Sequence, residues 1–176
     1  TMTEPDLCKK TIKWFAQYGI KYPGTKFKGG IFHSLSNSLS VILLSGAYYD
    51  YFADKHFFLD NEDLYRQMKE ILNEVITSRN PGEPHLYHSI WISDAYSLGT
   101  YHTGSNICVY RACRSLSRLA LEIFDEKEYA IELENEANAI KNDIEKYMTV
   151  ESNGHRIFLE GIASLDPHTK EYMSDE

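Results

Sequence analysis

Between Asn106 and Met148 the chain carries two runs of apolar residues recurring every three or four positions, a pattern that admits little besides a helical hairpin. Val109, Ala112, Cys113, Leu116, Leu119, Ala120 and Ile123 form one stripe, and Tyr129, Ala130, Leu133, Ala137, Ile140, Ile144, Tyr147 and Met148 form a second; both follow the helical period. The break between them, Asp125 and Glu126, suits a tight turn, and a short turn makes consecutive helices antiparallel neighbours. Ser105 or Asn106 is placed to cap the first of the two.

The rest of the chain is also helical in pattern. Leu7, Thr11, Trp14, Phe15 and Tyr18 fall at helical spacing behind Glu4, Pro5 and Asp6, with Gly19 closing the run. Residues 21–30 hold Pro23, Gly24, Gly29 and Gly30 and read as a loop. From Ile31 to about Ala53 apolar residues are dense on most sides, which predicts a helix central to its fold. Asp60 or Asn61 then reads as a cap before Leu64, Met68, Ile71, Leu72, Val75 and Ile76, and Asn80, Pro81 and Gly82 stop that helix near Arg79. Past Met148, Asn153-Gly154 is a turn signal, Arg156–Leu159 is at most a short strand, and the final residues carry no packing pattern.

Between the two helical regions lies His85–Asn106, HLYHSIWISDAYSLGTYHTGSN, with no clear period over its length. Irregular segments of this length inside a compact domain commonly carry function. This one collects Trp91, three Tyr, three His and a single acid, Asp94. Flat aromatic faces, hydroxyls and an isolated carboxylate suit a sugar better than a phosphate, a metal or a nucleic acid. Among rings that exclude water a carboxyl group is pushed toward its protonated form, the state of a proton donor in glycoside hydrolysis. Asp94 reads equally well as the cap of a short helix beginning at Ala95.

Composition removes several classes. With 26 acidic against 18 basic residues the net charge is −8, and no Lys/Arg cluster offers the footprint for nucleic acid or an anionic membrane. The longest aliphatic run, Val41–Leu44, is far short of a bilayer span, and the N-terminal residues carry no signal pattern. Cys8, Cys108 and Cys113 are an odd count without disulfide spacing, and no Asn-X-Ser/Thr sequon occurs, so a reduced, cytoplasmic setting is expected. His85, His88 and His102 match no zinc spacing, so neither metal nor cofactor is expected; loop histidines more commonly hydrogen-bond backbone or ligand hydroxyls. Arg111, Arg114 and Arg118 read as ion-pair partners for the surplus acids. Tyr48, Tyr49, Tyr51 and Phe52 read as core and rim packing.

Trp91-Ile-Ser-Asp94, His102-Thr-Gly-Ser-Asn106, Tyr110-Arg-Ala112 and the helix pair to Met148 together resemble a segment of the (α/α)6-toroid glycosidases, in particular the glycogen-debranching, amylo-α-1,6-glucosidase-like group. The likeness covers about Phe52–Met148. It implies an all-α fold of antiparallel hairpins forming part of a toroid, with long functional loops and at most a short C-terminal hairpin. It further implies inverting hydrolysis of an α-linked sugar, with Asp94 as pocket carboxylate and general acid, Trp91 and Tyr96 as sugar platforms, and His88, His102 and Asn106 as further substrate contacts. A toroid of twelve helices needs roughly twice the helical residues present here. Residues 1–176 are therefore expected to be one helical domain within a larger catalytic domain, with the second carboxylate elsewhere. A non-catalytic helical domain that binds carbohydrate or a protein partner through the same loop is the alternative.

Overall fold

In the computed structural model the described residues are 4–19, 34–79, 84–88, 91–92, 95–96 and 100–163. Their order is α1 (Pro5–Trp14) with a π-helical turn over Phe15–Gly19, α2 (Leu35–Ser38), α3 (Ser40–Phe52), α4 (Lys55–Leu59), α5 (Glu62–Thr77), β1 (Trp91–Ile92), β2 (Ala95–Tyr96), β3 (Tyr101–His102), α6 (Thr103–Glu122), α7 (Lys127–Tyr147), β4 (Thr149–Ser152), β5 (His155–Phe158) and β6 (Gly161–Ile162). Helix dominates, as the periodicities require. The loop read over residues 21–30 and the patternless tail from Asp166 onward lie outside the described residues, as does Asp94.

α6 and α7 form the expected hairpin. Val109, Ala112, Cys113, Leu116, Leu119 and Ala120 on one side meet Ala130, Leu133, Ala137, Ile140 and Ile144 on the other, all buried, and this is the most extensive packing between any two elements. The many small side chains in both stripes let the helices approach closely. Asp125 takes a left-handed conformation (φ 53°) in the turn.

α6 is the hub: it also packs on α2, α3 and α5. α3 had been expected at the centre, and it does lie between α1 and α6. Its predicted continuity from residue 31 is interrupted at Leu39, where the Ser40 hydroxyl donates back to the Asn37 carbonyl at 2.6 Å and splits the run into α2 and α3. Along α3 and α6 the contacts advance together. α2 lies against α6, Gly46 faces Ser115, the Tyr49 hydroxyl donates to Glu122 at 2.9 Å, and Lys55 donates to the Glu122 carbonyl at 2.9 Å. The two helices therefore run side by side in the same direction.

α3 ends where Ala53 turns left-handed (φ 51°), and Asp54 caps α4 by accepting from the Phe57 N–H at 3.1 Å. Lys9 and the Tyr48 hydroxyl, each 2.7 Å from Asp54, hold its carboxyl down to about 2 and tie α1 to this corner. Burial pushes the Tyr48 and Tyr49 hydroxyls up to about 12, so both act as donors to carboxylates at the edge of the core. Tyr51, by contrast, is exposed.

α1 corrects one expectation. Its packed face is Cys8, Ile12, Phe15 and Ala16, whereas Leu7 and Trp14 are 63% and 55% exposed. Both stripes satisfy the helical period, and periodicity alone does not choose between them. α5 follows the reading closely, burying Leu64, Met68, Ile71, Leu72 and Val75. Its far side is fixed by Tyr65, stacked on Phe124 at 3.8 Å, and by Lys69, which meets Glu126 at 2.5 Å.

The strands are short. β4 and β5 form the hairpin signalled by Asn153-Gly154, both residues at positive φ (52° and 75°). β6 returns to pair with β3, Tyr101 opposite Ile162 and His102 opposite Gly161. None of the described helices is long and apolar enough to cross a membrane.

Candidate functional site

The start of α6 organises the candidate site. Its cap is His102, not Ser105 or Asn106 as the residue types suggest: His102 Nδ1 accepts from the Ser105 N–H at 3.0 Å and lies 2.9 Å from the Ser105 hydroxyl. An imidazole nitrogen serves here where a Ser or Asp oxygen usually does. The ring folds back over the helix because position 104 is glycine; a β-carbon there would lie 2.7 Å from His102 Cε1.

One turn further on, Asn106 is wholly buried. Its carbonyl oxygen accepts from the Tyr87 N–H at 2.7 Å, and its amide nitrogen donates to the Tyr87 carbonyl at 3.1 Å and to the His102 carbonyl at 2.9 Å. The side chain thus pairs with the Tyr87 backbone as a neighbouring strand would. This holds residues 85–88 against the helix start and satisfies buried backbone groups that would otherwise be costly.

Held in this way, residues 85–88 lie along α7. The His85 N–H donates to Asp143 at 2.7 Å, and the Tyr87 hydroxyl donates to Glu136. The His85 ring sits between the two acids, with Nε2 4.0 Å from Glu136 and Nδ1 3.8 Å from Asp143. Burial first, and then the Glu136 carboxylate, push the Tyr87 hydroxyl well above its ordinary range. It stays protonated and donates. Removing that donor with Tyr87→Phe leaves a partly buried carboxylate short of a partner, at an expected cost of roughly 1.5 kcal/mol. Urea denaturation checks this, and an unchanged midpoint would mean the hydrogen bond is not formed in solution.

The residues named from the sequence are distributed as follows. His102 and Asn106 come together at the start of α6, and His88 stands nearby with its ring edge-on to Tyr101 at 4.7 Å. Trp91 and Tyr96 are paired directly through their backbones in the β1–β2 ladder, with Ile92 opposite Ala95, so the segment read as irregular contains three short strands. Asp94 lies outside the described residues. Asn106 departs from its expected role: with its amide saturated by backbone groups and closed to solvent, it positions the loop.

Glu136 and Asp143 were missed by the sequence reading. Both sit within the α7 stripe, Glu136 between Leu133 and Ile140 and Asp143 between Ile140 and Ile144. An acid in an otherwise apolar stripe is the signal that would have found them. They lie two helical turns apart, about 10 Å along the axis. Among the described residues no group of three or more His, Cys, Asp and Glu side chains is arranged to hold a metal ion.

The arginines of α6 are ion-paired, as read. Arg111 and Arg118 both meet Asp50, Arg118 also meets Glu122 at 2.9 Å, and Arg114 meets Glu134 at 2.6 Å. They rim a groove of about 620 Å³ between the outer faces of α6 and α7, which Leu121 and Ile131 also line. Compared with known proteins, the chain matches no family model and no curated sequence.

Proposed function

We propose that the chain forms helical hairpins of an (α/α)6-toroid glycoside hydrolase that cleaves an α-linked sugar with inversion, and that the segment before α6 is one wall of its sugar pocket. The observation that carries this reading is the side-by-side, same-direction packing of α3 and α6, with α7 returning antiparallel against α6. Neighbouring inner helices of a toroid of hairpins have this relation. The aromatic segment enters α6 at one end of that pair, and Asn106 and His102 give it a rigid attachment. Sites need such anchoring, because a loosely held group loses most of its catalytic advantage.

In this reading Asp94 is the general acid, Trp91 and Tyr96 are sugar platforms, and the exposed His88 is a hydroxyl partner. Glu136 and Asp143 add carboxylates beside the same segment, but the His85 ring lies between them, which suits them to supporting the loop. Asp94→Asn is expected to abolish release of reducing sugar from α-linked oligosaccharides by the complete protein while leaving its circular dichroism spectrum and melting temperature unchanged. Retained hydrolysis would remove Asp94 from the mechanism.

A second reading is favoured by a specific observation. Leu86, Tyr87 and Tyr101, all within the aromatic segment, are at most 3% exposed, so part of it is packed shut. That suits a non-catalytic helical domain that binds carbohydrate or a protein partner through the rest of the segment, where His88 is exposed. Measured on the complete protein, calorimetric binding of an α-linked oligosaccharide without turnover would decide for the second reading, and turnover for the first.

A further inference from the structure

We propose that His102 is an acid-sensitive latch: its neutral imidazole caps α6 and, through the first turn of that helix, holds residues 85–88 in place, and protonation releases both. The connection is short and runs through hydrogen bonds. His102 Nδ1 accepts from the Ser105 N–H at 3.0 Å. The His102 carbonyl accepts from Asn106 at 2.9 Å, and Asn106 in turn carries both backbone groups of Tyr87.

With Nδ1 committed as an acceptor, the neutral ring carries its proton on Nε2. A second proton can enter only at Nδ1. There it ends the acceptance from the Ser105 N–H; the Ser105 hydroxyl, 2.9 Å away, can take the new N–H but leaves the backbone N–H uncapped, and a full positive charge is placed on the positive end of a 20-residue helix. Both effects oppose the cap. Gly104 leaves the ring room for this position, since the imidazole rests where a side chain at 104 would be.

The groups around the ring set the balance. Burial disfavours the imidazolium and is the larger influence, while Glu160, in the bend between β5 and β6, favours it. From α6 itself Ser105 meets the ring and Asn106 the His102 carbonyl, neither carrying a charge, and Thr103 is tied to the Leu159 carbonyl at 2.6 Å and to the Glu160 carbonyl at 2.9 Å. From residues 84–88, His88 meets the adjacent Tyr101 ring. The net direction is downward from the ordinary 6.5. For a base whose folded value is depressed, the stabilisation is fully present above 6.5 and is lost as the pH falls through the lowered value.

The test is hydrogen exchange read by mass spectrometry between about pH 7.5 and pH 5, corrected for intrinsic exchange, on the protein and on His102→Asn, which keeps a capping oxygen that does not titrate. Protection of the amides at 103–107 and 86–88 is expected to fall roughly tenfold on acidification in the parent and to stay level in the variant. A level parent, or an equal fall in His102→Asn, overturns the latch. If the variant does not fold, the parent still decides: the His102 ring nitrogens followed by NMR must titrate together with the loss of protection at 86–88, and separate transitions refute the coupling. The outcome is independent of whether the chain binds sugar.

Discussion

Gly46→Ala is expected to destabilise the protein by on the order of 3 kcal/mol, moving the urea midpoint down by about 1.5 M. This reverses the usual sign, because alanine inside a helix ordinarily gains close to 1 kcal/mol over glycine. The reversal comes from the α3–α6 crossing. A β-carbon on Gly46 would stand 2.2 Å from Ser115 Oγ and 2.4 Å from Ser115 Cβ, with the Ser115 backbone at 3.4 Å. The Oγ could rotate away, but Cβ is fixed by the backbone, so the two helices must separate. Separation would open the contacts around Ile42, Tyr49 and Leu116, all buried. The compensating change is Ser115→Gly. The Ser115 hydroxyl is buried and makes no hydrogen bond among the described residues, so its removal leaves no partner unsatisfied, and Gly46→Ala/Ser115→Gly is expected to recover most of the loss. A single Gly46→Ala variant as stable as the parent would mean that α3 and α6 do not cross at this point.

Asn106→Ala is expected to cost about 3 kcal/mol for a different reason. Its cavity is small. The cost arises because the Tyr87 N–H, the Tyr87 carbonyl and the His102 carbonyl lose a shared partner inside the protein. A second readout separates this from general damage: hydrogen exchange at 85–88 should rise well before α7 is affected, since only those residues depend on Asn106 for their attachment. Uniform loss of protection across α6 and α7, or none at 85–88, would refute the clamp. Asn106→Asp should not rescue, because it keeps the acceptor for Tyr87 while losing both donations and burying a charge.

The two predictions mark how far the sequence was legible. α5, α6 and α7 were readable because each carries one dominant stripe and an unambiguous stop, so period and boundary agree. α1 was readable as a helix but not in orientation, because Cys8/Ile12/Phe15/Ala16 and the stripe read from the sequence, Leu7/Thr11/Trp14/Phe15/Tyr18, are both consistent with the helical period and share Phe15, and the choice depends on what α3 presents. The break at Leu39 depends on a local hydroxyl contact that leaves no trace in hydropathy. At the candidate site, composition located the segment, and the resemblance to toroid glycosidases implied that His102 and Asn106 contact a ligand. The structure gives Asn106 entirely to the backbone and the His102 Nδ1 to the helix cap, roles fixed by contacts with Tyr87 and Ser105. Glu136 and Asp143 escaped notice because acids are common on helices, and only their place within the stripe distinguishes them.

The pairing of β3 with β6 has a topological consequence. Tyr101 lies opposite Ile162 and His102 opposite Gly161, and the Thr103 N–H donates to the Glu160 carbonyl at 2.9 Å. The path through α6, α7 and the β4–β5 hairpin therefore leaves and returns at one point. That stretch is a cassette whose entrance at Tyr101 and exit at Ile162 lie side by side, next to the helix start that carries the candidate site.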